Sequence, residues 1–285
     1  MPWQFENAIE PIGTITEGPV WDGYAVIFTN IANSRILRFC PNTEDLTVLR
    51  SGTNECNGLA LDREKRLYGC EGGSGGRRIV RYNDDGSTEI IADSFEGKRL
   101  NSPNDLIIDR KDRIWFTDPR YGDYRNDMEL GHESVYRCDP QEDEAWKISR
   151  MTYDTTSPNG LVLSPDQKTL YVAQSKYGEG EKRELRGYPV LENDTLGPCE
   201  VLHNFYPHRA IDGIRVDAAG NMIAAAGWSE SGPGPMIYVF APSGRVLSTH
   251  PLPEDRPTNC CFGDPDLHAL YVTTIGGHLL RTRLK

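Results

Sequence analysis

The sequence predicts an all-β chain built from six repeated four-stranded antiparallel units, and three observations carry that prediction. Short runs rich in Val, Ile, Leu, Phe and Tyr recur along all 285 residues, separated by Gly, Pro, Asn and Asp turns. The runs fall into sets of four with a spacing of roughly 40–55 residues per set. One phrase is spelled twice, as Ser102-Pro103-Asn104-Asp105 and as Ser157-Pro158-Asn159-Gly160, each time before a strand, a charged turn and a second strand.

The strands follow in chain order. Unit one reads Pro19–Trp21, a turn at Asp22-Gly23, Ala25–Thr29, Arg35–Phe39 and Leu46–Leu49. Unit two takes Gly58–Leu61, Leu67–Cys70, Ile79–Tyr82 and Thr88–Ala92, with Asp85-Gly86 as the hairpin turn before the last. Unit three begins after Pro103, whose fixed φ and missing N–H mark the passage from loop to sheet. It continues through Asp105–Asp109, Ile114–Thr117, Ser134–Cys138 and Ala145–Ser149. Unit four comprises Leu161–Leu163, Thr169–Ala173, Leu185–Val190 and Glu200–Leu202; unit five comprises Ile214–Asp217, Met222–Ala226, Ile237–Phe240 and Val246–Thr249. Unit six supplies Cys260–Phe262, Leu270–Thr274 and His278–Thr282 and then runs out one strand short. Phe5–Ile12 reads as a strand without a sheet, so it completes unit six and closes a ring. Four strands per repeat and six repeats make a six-bladed β-propeller, 1–285 forming one domain. Two β-sandwiches would need a linker, and none is present.

Composition excludes several functions. With 31 basic against 42 acidic residues the net charge is −11, which repels nucleic acid and anionic membrane surfaces. Seven cysteines with no C-x-x-C pair indicate buried thiols rather than a disulfide framework or zinc knuckle, and Cys260-Cys261 is expected to point to the two faces of one strand. No stretch of about 18 apolar residues and no basic start followed by an apolar run is found, so a soluble, cytoplasmic protein is expected. The composition leaves the oligomeric state open. Gly72–Gly76 lacks the ending of a phosphate loop, and no G-x-S-x-G elbow accompanies the six histidines.

The innermost strand of each blade starts at one mouth of the central channel. Aligning the six starts gives Glu17, Asn57, Asn104, Asn159, Asp212 and Asn259, all carboxylates or amides. Such a ring of oxygen donors suits a hard cation, Ca²⁺ first, with Mg²⁺ or Mn²⁺ possible, and the softer Zn²⁺ is a further candidate cofactor. Asn-Gly and Asp-Gly are also ordinary turn dipeptides, so Asn57-Gly58, Asn159-Gly160 and Asp212-Gly213 read equally well as turns. The connections between second and third strands, Glu71–Arg77, Asp118–Glu133, Gln174–Arg183 and Gly227–Gly234, are long and emerge on the ring's face. Asp118, Arg120, Tyr121, Lys176 and Trp228 are their candidates for substrate contact.

Glu17-Gly18-Pro19, Ser102–Leu106, Phe116–Gly122, Ser157–Leu161 and Asp212-Gly213, in this order, resemble the SMP-30/gluconolactonase/luciferin-regenerating-enzyme family, in its gluconolactonase-like branch. The resemblance implies a six-bladed propeller with one divalent cation held at Glu17, Asn159 and Asp212, and Asn104 as a further ligand or substrate contact. It also implies hydrolysis of a sugar lactone, with the cation polarising the carbonyl and Asp212, or a water on the cation, driving attack. Animal members carry a substrate-contacting arginine where this chain has Ser102, so the resemblance makes Ser102 a candidate substrate contact while their substrate preference does not transfer. A related phosphoesterase with a similar calcium centre, and a propeller that only binds calcium or partners, are the alternatives.

Overall fold

A computed structural model describes residues 2–73, 75–142, 145–176 and 178–284, with the side chains of 122–124 left aside. Ser74, in the Gly72–Gly76 connection, lies outside the described residues. Six four-stranded antiparallel sheets are arranged as a six-bladed propeller, and the described residues contain no α-helix. The innermost strands are Thr16–Trp21, Cys56–Leu61, Leu106–Ile108, Pro158–Leu163, Ile211–Val216 and Pro257–Gly263. The sixth sheet takes its outer strand from Glu6–Asn7, which pairs with Leu280 and Arg281.

Period-2 alternation explains how the ring holds together. Every sheet is sandwiched between two others, so the inner and middle strands carry apolar residues on both faces, while outer strands such as Asp45–Ser51 are mostly exposed. In blade one, Val26 and Phe28 face the core shared with Cys261 and Tyr271 of blade six, while Ile27, between them, faces the core shared with Leu59 and Val80 of blade two. The remaining four interfaces carry equivalent clusters, built around Phe116, Trp115, Phe240 and Val272. Cys260 and Cys261 are both buried on opposite faces of their strand, in different clusters. All seven cysteines are free thiols, five of them buried.

Three elements differ from expectation. Gly227–Gly234 is not an open loop: the strands Met222–Trp228 and Ser231–Phe240 run on as one long hairpin, with a register shift between Ala226 and Trp228. Regular pairing of the N-terminal segment is confined to Glu6–Asn7, although the Ala8 and Ile12 N–H groups still bond the Leu279 and Gly277 carbonyls. The third blade's inner strand is short, because Asn104 and Asp105 pair with Thr117 outside the regular ladder.

Candidate active site

Five of the six inner strands are bulged where they begin. Pairing jumps between Glu17 and Val20, Cys56 and Leu59, Pro158 and Leu161, Ile211 and Ile214, and Pro257 and Cys260, each with one extra residue on the inner strand. A bulge bends the strand and re-aims a side chain, and here each falls at or beside the ring residue. The glycine after the ring residue is not a turn. A Cβ on Gly18 would lie 2.6 Å from the Asn57 carbonyl oxygen, on Gly58 2.7 Å from that of Asn104, and on Gly160 2.5 Å from that of Asp212. These glycines let each inner strand press against the next blade's ring residue, which brings residues distant in sequence to one axis.

Glu17, Asn57, Asn104, Asn159 and Asp212 all line one cavity of about 450 Å³ at the mouth of the channel, a size suited to a small ligand. Ile15, Ile31, Tyr121, Arg209, Trp228, Arg256, Thr258 and Ile275 complete the wall. The Asn159 amide lies beside the Asp212 carboxylate and favours its anion. The Arg209 Nη2 donates to Asp212 Oδ2 at 2.6 Å, and its Nη1 to the Gly227 and Pro257 carbonyls at 3.1 and 3.0 Å. Asn259 sits behind this wall. Its Nδ2 donates to Glu17 Oε2 at 3.1 Å and Asp105 Oδ2 at 3.3 Å, and Asp105 in turn faces Arg215 at 3.5 Å. The channel axis is therefore polar and hydrogen-bonded.

Electrostatics at the ring are unusual for carboxylates at neutral pH. Burial, reinforced by the charges of Asp212 and Asp105, holds Glu17 well above the ordinary range. Asp212 is raised by burial too, against the opposing pull of Arg209 and the Asn159 amide. Asp105 is raised by burial and restrained by Arg215. Crowded acids of this kind stay ionised when a cation lies among them. A second observation points the same way: Asn57 Oδ1 is buried at the cavity wall and, among the described residues, accepts no hydrogen bond. Among the described residues no group of three or more His, Cys, Asp or Glu side chains is arranged to hold a metal. The donors here are carboxylates mixed with amides, and that all-oxygen chemistry fits a hard divalent cation.

The expected substrate contacts divide. Tyr121 and Trp228 line the cavity, but Ser102, Asp118 and Arg120 are not among its lining residues. Asp118 is wholly buried, with its two oxygens accepting the backbone N–H groups of Asn101 and Ser102 at 2.8 and 2.7 Å, because a short lead-in to Asn104 must be tied down. The Ser102 hydroxyl donates to the Gly72 carbonyl at 2.8 Å. Arg120 turns into its own loop and forks onto Asp127 at 3.0 and 2.7 Å. Lys176 pairs with Glu181 at 3.0 Å. Sequence reasoning passed over Arg209, Asp105 and Arg256. A signal existed: Arg209 and Arg256 stand three residues before Asp212 and Asn259, the same position in successive blades.

The family model described as an SMP-30/Gluconolactonase/LRE-like region matches residues 15–276. The gluconolactonase of Zymomonas mobilis is 29% identical over 276 residues, covering 87% of this chain and 73% of that protein. The pentonolactonase XacC of Haloferax volcanii is 27% identical over 272 residues, covering 92% and 81%. A solved gluconolactonase structure from Xanthomonas campestris superposes with a TM-score of 0.84 at 32% identity, covering 99% of this chain and 90% of that one.

Proposed function

The chain belongs to the SMP-30/gluconolactonase/LRE-like family, and from that premise we propose that it hydrolyses a sugar lactone in the cavity at the channel mouth, with a divalent cation and Asp212 as general base. The observation that carries this reading is the convergence of Glu17, Asn104, Asn159 and Asp212, from four different blades, on one cavity. These four would hold the cation, Ca²⁺ first. When bound it would polarise the lactone carbonyl and stabilise the oxyanion.

The chain's own groups supply the rest. Asp212 takes a proton from the attacking water as its oxygen bonds to the carbonyl carbon. The ring C–O bond then breaks, and Asp212 returns the proton to the departing ring oxygen. The acid product ionises at neutral pH, so each turnover releases one proton. A carboxylate raised by burial is a stronger base than an exposed one, and general-base catalysis contributes about 10²- to 10⁴-fold. Arg209 fixes the orientation of Asp212, because its Nη1 is tied to two backbone carbonyls. Tyr121 and Trp228 present flat faces to a sugar ring, while Asn104 offers its amide to the ring's hydroxyls.

The test is proton release from glucono-1,5-lactone, corrected for uncatalysed opening. Chelation is expected to abolish it and added Ca²⁺, Mg²⁺, Mn²⁺ or Zn²⁺ to restore it. Asp212→Asn is expected to lose at least about 10²-fold in kcat while melting like the parent. Turnover indifferent to chelator would remove the cation from the mechanism; an active Asp212→Asn would remove the base.

A further inference from the structure

The cavity holds two arginines in opposite circumstances. Arg209 is committed, bonded to Asp212 and two carbonyls. Arg256 lines the same cavity, yet its Nε is buried without a hydrogen-bond partner. Its Nη1 and Nη2 bond to none of the described residues; the single close ion pair is Nε to Asp255 Oδ2 at 3.3 Å. Asp255 is itself drawn aside by the Ser229 N–H, which donates to its Oδ1 at 2.8 Å. The guanidinium lies 5.9 Å from the Trp228 ring centroid, and the chain holds Arg256 at φ 48°, in the left-handed region.

Four charged side chains line the cavity: Glu17, Arg209, Asp212 and Arg256. The first three are accounted for by the reaction. Arg256 lines the wall beside Trp228 and Ile275 with its side chain 43% exposed, so its Nη groups are available to a ligand of opposite charge in the cavity. The hydroxyls of a neutral lactone do not require a guanidinium. A carboxylate does match one, because two parallel Nη donors meet its two oxygens. Arg256 occupies in blade six the position that Arg209 occupies in blade five, so the two arginines lie beside each other around the mouth.

Resting on the lactonase reading, we propose that the substrate is a sugar lactone bearing a free carboxylate, an aldaric-acid monolactone, with the carbonyl at Asp212 and the carboxylate on the Nη groups of Arg256. Trp228 supports the carbon chain between them.

The experiment compares D-glucaro-1,4-lactone with D-glucono-1,4-lactone, which differ only in carrying a carboxylate or a hydroxymethyl group at C6, with 6-phosphogluconolactone as a third arm. The parent protein is expected to favour the glucaro compound by at least about 10-fold in kcat/KM, chiefly through KM, and Arg256→Gln to collapse that ratio by about 10- to 100-fold. Arg256→Lys should retain part of it. No preference in the parent protein, or equal losses on both lactones in Arg256→Gln, would overturn the proposal, and preference for the phosphate would overturn its carboxylate assignment. Hydrolysis of neither lactone would sink the lactonase reading instead. The carboxylate site would then be judged by calorimetry with glucarate itself: binding lost in Arg256→Gln upholds it, and no binding to the parent protein rejects it.

Discussion

Asp118 occupies a place where a carboxylate is expensive, and its surroundings explain why it is there. Burial pushes its pKa up to about 7, although the Asn101 and Ser102 N–H groups and the Arg77 charge favour the anion. Its work is to hold the lead-in to Asn104, whose own N–H bonds the Thr117 carbonyl at 2.9 Å. Asp118→Ala would leave two buried N–H groups without acceptors and is expected to cost about 2–4 kcal/mol in a denaturant melt. The raised pKa also fixes a sign. A carboxyl that holds its proton more tightly when folded adds stability below its unfolded pKa of about 4 and loses that contribution as pH rises through 7. Comparing the parent with the uncharged Asp118→Asn, the difference should move in favour of the variant between pH 4 and pH 7. A difference that stays flat with pH would show Asp118 ionised throughout. From sequence alone Asp118 resembled a substrate contact, since a polar residue at a strand end before a long loop carries the same pattern whether it faces a cavity or its own backbone.

The element that decides the site is the bulged start of the inner strand, found in five of the six blades. The strands themselves were legible, because alternation of Val, Ile and Tyr with turn dipeptides is a local pattern. So was the ring, because repeats put Glu17, Asn104, Asn159 and Asp212 at one aligned position. The bulges were not. Asn159-Gly160 is written with the same letters whether it turns the chain or slides past a neighbouring blade, and only the packing of Gly160 against Asp212 and Gly213 separates the two. Arg256 was hidden for a related reason: its meaning depends on what Arg209 does one blade earlier. Gly160→Ala tests the close-approach reading. The added methyl would meet the Asp212 carbonyl oxygen at 2.5 Å and the Gly213 Cα at 2.8 Å, both backbone atoms that cannot swing aside. The expected cost is about 1–3 kcal/mol of stability, with kcat on glucono-1,5-lactone reduced at least about 10-fold at a temperature where the variant is fully folded, since a misplacement near 1 Å has effects of that order or larger. Were Gly160 an ordinary turn residue, stability and turnover would both stay close to the parent.

At the scale of the whole molecule, the ring must be closed for opposing blades to face one another across a fixed channel, and the closure is made by the N-terminal segment. Glu6 and Asn7 pair with Arg281 and Leu280. Ile9 is buried in the core between blades one and six, while Trp3 and Phe5 pack against the core between blades five and six. Trp3 reaches furthest: its ring stacks on His250 of blade five with centroids 3.7 Å apart, and its backbone N–H donates to the His250 Nδ1 at 3.0 Å. One short segment thus touches the cores on both sides of the last blade. Removing residues 2–12 strips these contacts and leaves Leu279–Arg283 as an unpaired edge. Loss of one buried side chain, Ile9, and four half-buried apolar ones, Trp3, Phe5, Ala8 and Ile12, at about 1.5–3 kcal/mol for each fully buried one, predicts a melting temperature lower by about 10 °C or more. It also predicts concentration-dependent association through the bare edge in sedimentation. Trp3→Ala, which removes the ring stacked on His250 and packed between blades five and six but keeps the Glu6–Asn7 pairing, should lower the melting temperature by a smaller amount and leave the chain's sedimentation unchanged. Because Thr16 donates its hydroxyl to the His278 carbonyl at 2.7 Å and Thr258 donates to the Thr16 carbonyl at 2.7 Å, loosening the last blade shifts the strand that carries Glu17. The truncated chain is therefore expected to lose turnover on glucono-1,5-lactone at temperatures well below its own melt. Truncation that left melting and turnover near those of the full chain would mean that six inner strands hold the ring without the clasp.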